Sequence, residues 1–190
     1  MVLFGRPGKD QMSIKHAILG FLSWEPLTGY DLKKRFMEST TLYWTGNNNQ
    51  VYRSLVDLHQ DGLVTKEVQH QEKLPARKIY SITAAGRKAL REWVLQPPEL
   101  PQLKNSFLVQ LSWADQLAPS ELDHLIDSYQ EEVRVKLLML QEQAARGNSA
   151  PNRSDRERLL WQRIASNMIA FYQHELQWVQ DLRQELGQFS

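Results

Sequence analysis

The stretch that decides the fold is NNNQVYRSLVDLHQDG, residues 47–62. Val51, Leu55 and Leu58 recur at intervals of four and three, so they form one stripe of a helix. Asn49, Gln50, Tyr52 and Arg53 then point away from that stripe, near the first turn. Asn47, Asn48 and Asn49 offer N-caps, and Gly62 sits where a helix ends on a left-handed residue. Directly afterwards the period changes. Residues 63–69, LVTKEVQ, and 76–82, ARKIYSI, are short and rich in β-branched side chains, with a polar run from His70 to Pro75 between them. That is the pattern of a hairpin.

Working outward toward the N-terminus, Ile14, Ala17, Ile18, Phe21 and Leu22 keep helical spacing, which predicts a helix over 12–24 ended by Pro26. Thr28-Gly29-Tyr30-Asp31 has the form of a capping box with Asp in place of the usual Glu. It opens a second helix that buries Leu32 and Phe36 and exposes Lys33, Lys34 and Arg35. On the other side of the hairpin, Thr83 caps a fourth helix whose packed face is Ala89, Leu90, Trp93 and Val94. Three helices, a two-stranded ribbon and a further helix give a winged helix-turn-helix domain over residues 12–96.

The run Gln96-Pro97-Pro98-Glu99-Leu100-Pro101 cannot continue a helix and marks a domain boundary. Residues 101–190 read as helical throughout. Residues 103–117 are apolar on several faces, and Pro119-Ser120-Glu121-Leu122-Asp123 caps a helix carrying Leu122, Leu125, Ile126, Tyr129, Val133, Leu137 and Leu140. A polar loop at 146–154 precedes a last helix over 155–188. Trp161, Ile164, Met168, Phe171, Trp178 and Leu182 recur along it at near-heptad intervals, interrupted by Glu175. So long a helix cannot bury that stripe in a small domain of its own, and a second copy of the chain is the natural cover. The expected class is therefore mainly α with a small β-hairpin, a winged helix followed by an all-α dimerisation domain.

Charge follows the same division. The whole chain carries a net charge of +1, yet residues 1–96 hold 14 Lys/Arg against 9 Asp/Glu, whereas residues 97–190 hold 9 against 13. A basic half suits a polyanion partner. With no cysteine among 190 residues, disulfides, thiolate metal sites and thiol catalysis are excluded. No apolar run approaches the ~18 residues of a membrane span, and the N-terminus lacks the apolar core of a signal peptide. A cytoplasmic protein without a membrane partner is expected. His16, His59, His70, His124 and His174 are scattered rather than spaced as metal ligands, and neither a Gly-rich phosphate loop nor a nucleophile motif is present. The expectation is no metal, no cofactor and no enzymatic activity. Trp24, Trp44, Trp93, Trp113, Trp161 and Trp178 serve either core and dimer packing or the wall of an effector pocket.

In a helix-turn-helix, the start of the second helix faces base edges in the major groove. Amide side chains pair with adenine, and arginine with guanine or phosphate. Asn49, Gln50 and Arg53 are accordingly expected to read bases, while Tyr52 and the wing cations Lys73, Arg77 and Lys78 hold the backbone. The alternative is a helical protein-interaction adaptor whose winged helix contacts protein. Salt separates the two, because phosphate contacts weaken steeply with ionic strength.

The residues that carry a family resemblance are now in place. Residues 12–20, MSIKHAILG, residues 26–36, PLTGYDLKKRF, then Val51-Tyr52-Arg53-Ser54-Leu55, Asp61-Gly62-Leu63-Val64 and residues 77–87, RKIYSITAAGR, resemble in order the opening of the PadR family of bacterial transcriptional regulators. The match is dense over about 12–95. Phe107-Leu108-Val109-Gln110-Leu111 and residues 117–122, LAPSEL, resemble the larger, AphA-like branch with a long helical C-terminal domain. The resemblance implies a homodimer joined through the C-terminal helices and, as usual in the family, repression relieved by a small-molecule effector or other signal. With double-stranded DNA as partner, the two recognition helices of such a dimer predict an inverted-repeat operator. Its recognition-helix tyrosine falls on Tyr52. Relatives commonly carry proline at the next position, where this chain has Arg53.

Overall fold

A computed structural model describes residues 9–39, 48–71, 74–98, 100, 105–146 and 154–188. The chain divides into two compact units, Met1–Pro98 and Glu99–Ser190.

In the first unit the order is α1 (Lys9–Leu22), β1 (Leu27–Thr28), α2 (Gly29–Glu38), α3 (Asn48–Gln60), β2 (Val64–Gln71), β3 (Leu74–Ile82) and α4 (Ala84–Val94). Helix α1 ends two residues before the predicted limit, because Ser23 turns back to bond the Leu19 and Gly20 carbonyls through its N–H and Gly20 again through its hydroxyl. The capping box at α2 forms as read. Thr28 Oγ1 accepts from the Asp31 N–H at 3.1 Å, and the Asp31 carboxylate accepts from the Thr28 N–H, also at 3.1 Å. Helix α3 buries Val51, Leu55 and Leu58, and Gly62 takes the left-handed conformation after it with φ of 69°. The Asn47 cap lies outside the described residues.

Four expectations need correction here. The ribbon is a three-stranded antiparallel sheet in the order β1-β3-β2, since Leu27 and Thr28 pair with Tyr80 and Ile79. The strands also reach further than read, so His70, Gln71, Leu74 and Pro75 belong to them. Of the three α2 cations expected to be exposed only Lys34 is, since Lys33 and Arg35 are half-buried and Arg35 pairs with Glu25. Finally, α4 turns Val94 to solvent and leaves Trp93 38 % exposed, stacked on His16 at 4.5 Å. Leu90 of the expected face does pack against the core, and at Gly86 the helix lies against the Leu63 carbonyl.

Ile14, Ile18, Leu22, Leu32, Leu55, Leu58 and Val64 form a single core under α1, α2, α3 and the sheet. Burying each such side chain stabilises the fold by roughly 1.5–3 kcal/mol, enough in sum to hold α3 firmly on its apolar stripe.

The second unit contains α5 (Ser106–Leu111), a 3-10 turn (Ala114–Gln116), α6 (Pro119–Arg146) and α7 (Asp155–Leu186). Residues 105–117 are therefore a short helix and a 3-10 turn rather than helical throughout. Asn105 caps α5 by accepting from the Phe107 N–H at 3.0 Å, and Ser112 closes it with its hydroxyl on the Leu108 carbonyl at 2.8 Å. Helices α6 and α7 pack on each other as a long pair, and Phe107 fills their junction with Ile126, Val179, Tyr129 and Trp178. Glu175 does more than interrupt the apolar stripe. It accepts the Tyr129 hydroxyl at 2.5 Å and the Asn105 side-chain amide at 3.4 Å. Burial, and then that bond, push the Tyr129 phenol up to about 12.

Candidate nucleic-acid interface

The burial of Val51, Leu55 and Leu58 fixes the rotation of α3, and the rotation fixes what its first turns display. Asn49 and Arg53 are exposed, Tyr52 is 47 % exposed and Gln50 is half-buried. The first turn of α3 contains no acidic residue. The one acid of α3, Asp57, lies in its distal half, where Lys15 pairs with it at 3.1 Å and with Asp61, just past the helix end, at 3.7 Å. The end that carries Arg53 thus combines the partial positive charge of a helix N-terminus with a guanidinium and several amide donors, a surface suited to an anion.

Tyr52 leans across the start of α2. A Cβ added to Gly29 would stand 2.5 Å from Tyr52 Cε1, so the absence of a side chain at residue 29 is what lets the ring lie there. Tyr80, buried on β3, has its phenol pushed up by burial and further by Tyr52 nearby. The ring thus lies at the junction of α2, α3 and the sheet.

Of the wing cations, Lys73 lies outside the described residues. Lys78 is exposed and has no ion-pair partner among the described residues. Arg77 is committed differently. Its Nη2 donates to Asp31 Oδ2 at 3.2 Å, the same oxygen that receives the Thr28 N–H and, at 2.6 Å, the Thr28 hydroxyl. Burial raises the Asp31 carboxyl, but the bonds from Thr28 and then from Arg77, with its charge, outweigh this and leave it lowered. Sequence reasoning found Asp31 as a cap and Arg77 as a cation without joining them. No local signal could have done so across 46 residues.

In the second unit, the six residues predicted to dimerise divide into two groups. Trp178 belongs to the chain's own cluster, edge-on to Phe107 with ring centroids 6.2 Å apart. Ile164 and Phe171 are 42 % and 45 % exposed, while Trp161, Met168 and Leu182 are half-buried. Leu159 and Leu160 add to the uncovered apolar surface of α7, as do Val135, Leu138 and Met139 on α6. The other tryptophans also diverge. Trp24 packs edge-on to Phe21, Trp113 is exposed, and Trp44 lies outside the described residues. Among the described residues no cluster of three metal-ligating side chains occurs, and no helix is long and apolar enough to cross a membrane.

Comparison with known proteins agrees with this anatomy. Residues 18–92 match the model of the transcriptional regulator PadR-like family, and residues 103–187 match the virulence activator alpha C-terminal model. The negative transcriptional regulator PadR of Bacillus subtilis is 28 % identical over 129 residues, covering 67 % of this chain and 71 % of that one. The structure of Bacillus subtilis PadR in complex with operator DNA superposes with a TM-score of 0.78 at 23 % identity, covering 93 % of this chain and 98 % of that chain. The virulence activator AphA of Vibrio cholerae gives a TM-score of 0.70 at 29 % identity, covering 93 % and 99 %.

Proposed function

Because the chain belongs to the PadR-like family of transcriptional regulators, we propose that it is a homodimeric repressor binding an inverted-repeat operator, released by a small-molecule effector. The observation that carries the DNA-binding part is the first half of α3. Its buried stripe leaves Asn49, Gln50, Tyr52 and Arg53 turned from the core at a helix start free of acid, next to a wing whose Lys78 is exposed. DNA binding is assigned to residues 12–96, with Asn49, Gln50 and Arg53 reading bases and Tyr52 and the wing holding the backbone. Dimerisation is assigned to residues 101–190 through the uncovered faces of α7 and α6. A two-fold dimer presents two copies of α3, so its half-sites stand about 10 bp apart or a multiple of that. The repressor reading follows the Bacillus subtilis relative, which is named a negative regulator.

The test begins with selection of bound sequences from random duplexes by the purified protein. Gln50→Ala and Arg53→Ala should each cost about 1–3 kcal/mol per lost base contact on the selected operator and spare random DNA. Lys78→Ala should weaken both DNAs alike and flatten the salt dependence by about one unit per lost contact. Selection that yields no preferred sequence, or binding indifferent to salt, would overturn the reading.

A further inference from the structure

Two side chains next to each other in the wing stand in different circumstances. Strand residues alternate between faces, so Arg77 and Lys78 point to opposite sides of β3. A duplex lying along one face of the wing meets one of them directly. Lys78 has no ion-pair partner among the described residues, whereas Arg77 is tied to Asp31.

The setting of that tie gives it a purpose. Asp31 Oδ2 is the meeting point of three donors, the Thr28 N–H, the Thr28 hydroxyl and Arg77 Nη2. Thr28 is at once the cap of α2 and part of β1, paired with Ile79 two residues beyond Arg77. The ion pair therefore lies just beyond the last β1–β3 pairing, where β3 leaves the support of β1 and runs out into the wing. The same first turn of α2 receives the ring of Tyr52 at Gly29. One turn of helix thus touches both elements assigned to DNA, α3 through Gly29 and the wing through Asp31.

We propose that Asp31 and Arg77 are a positioning pair that fixes the wing relative to α3, and that Arg77 acts on DNA through Asp31 rather than by gripping a phosphate. This rests on the DNA-binding reading above. It departs from that reading's simplest form, in which every wing cation is a backbone clamp. Lys78 is left as the described wing residue that meets phosphate.

The two roles predict opposite signs for one substitution. If Arg77 held a phosphate, Asp31 would compete for it. Asp31→Asn would then free the guanidinium, remove a negative charge beside the DNA and tighten binding. If the pair positions the wing, Asp31→Asn loosens it and weakens binding. The experiment uses the full chain, the selected operator and a random duplex, with titrations at three or more salt concentrations. The variants are Arg77→Gln, Asp31→Asn, both together, and Lys78→Gln for comparison.

The expected result is that Arg77→Gln and Asp31→Asn each weaken operator binding about two- to fivefold, the scale of an exposed ion pair. The double variant should be no weaker than either single one, and the salt slope should stay at its wild-type value. Lys78→Gln alone should lower the slope. A slope reduced by about one per site in Arg77→Gln, or tighter binding by Asp31→Asn, overturns the positioning role while leaving DNA binding intact. Arg77→Gln leaves the capping box whole, so its slope decides the matter even where Asp31→Asn folds poorly. Wild-type protein that binds no duplex would instead overturn the functional reading and this inference with it.

Discussion

Replacing Gly86 by alanine should destabilise the winged helix unit by about 2–3 kcal/mol, although alanine is the better helix former. A Cβ at residue 86 would stand 2.1 Å from the Leu63 carbonyl oxygen, 2.8 Å from Ile82 Cγ1 and 3.1 Å from the Leu63 carbonyl carbon. Two of these atoms are backbone, so no rotamer change relieves the contact. The start of α4 and the segment after α3 would have to separate by about 1 Å in a close-packed interior. Two bonds cross that seam, from the Thr83 N–H to the Leu63 carbonyl at 3.0 Å and from the Thr83 hydroxyl to the Gly62 carbonyl at 2.9 Å. Overpacking of this kind costs about 1–3 kcal/mol and a lost hydrogen bond about 1 kcal/mol. The propensity gain of alanine over glycine offsets at most about 1 kcal/mol of this. For a unit of this size the net effect lowers the melting temperature by roughly 10–20 °C. Gly20→Ala is the matched control, because residue 20 lies inside α1 with nothing within 4 Å of the added carbon. It should stabilise by about 0.5–1 kcal/mol. Thermal and urea unfolding of both variants, followed by circular dichroism, measure the difference. Equal shifts in the two variants, or a Gly86→Ala protein within about 0.5 kcal/mol of wild type, would refute the reasoning.

Three other outcomes are expected. Ser54 is wholly buried in α3 with its hydroxyl unpartnered among the described residues, so Ser54→Ala should raise the urea midpoint by the equivalent of about 1 kcal/mol, and a clear loss of stability would count against that account. Ile164→Asp and Phe171→Asp alter side chains that are 42 % and 45 % exposed and should give folded monomers in sedimentation, whereas Val179→Asp, at 0 % exposure, should unfold the second unit; wild-type chain sedimenting as a monomer at micromolar concentration would contradict the dimer. Because the Asp31 carboxyl is held below its ordinary 3.8, its ionised form stabilises the fold above that pH, and the contribution is lost as pH falls through the lower folded value. The stability gap between wild type and Asp31→Asn should accordingly be constant near neutrality and shrink below about pH 4, and a gap that persists unchanged to pH 2 would speak against it.

What could be read from the sequence was what neighbours in the chain decide. The capping box at Thr28 and Asp31, the left-handed Gly62 and the stripe of Val51, Leu55 and Leu58 each depend on residues within one or two turns, and each stands as read. The misreadings share the opposite property. Strand β1 is two residues long and exists because β3 lies beside it, more than fifty positions later. Residues 103–117 have helical apolarity, but Asn105 and Ser112 spend their side chains closing a short helix around Phe107. On α4, Ala89, Leu90, Trp93 and Val94 suggested the packed face; Leu90 does pack on the core, but Val94 is exposed, and the close approach at Gly86 leaves no trace in a hydrophobic pattern. At the candidate interface, the exposure of Asn49, Tyr52 and Arg53 followed from the buried stripe alone. The commitment of Arg77 to Asp31 did not, being a tertiary contact between two residues that each had a sufficient local explanation.

Glu175 has a consequence for how the long helices are phased. Helix pairs with uniformly apolar seams can slide by a turn at little cost, since one leucine replaces another. Here a sliding α7 would carry the carboxylate away from the Tyr129 hydroxyl and bring Phe171 or Val179 in its place. Both half-buried polar groups would then lose that bond, at a cost of about 1–3 kcal/mol. One tyrosine–glutamate bond therefore works as an index mark on α6 and α7. It selects a single alignment among several that the apolar residues would tolerate, and any surface the two helices offer jointly to another molecule inherits that alignment.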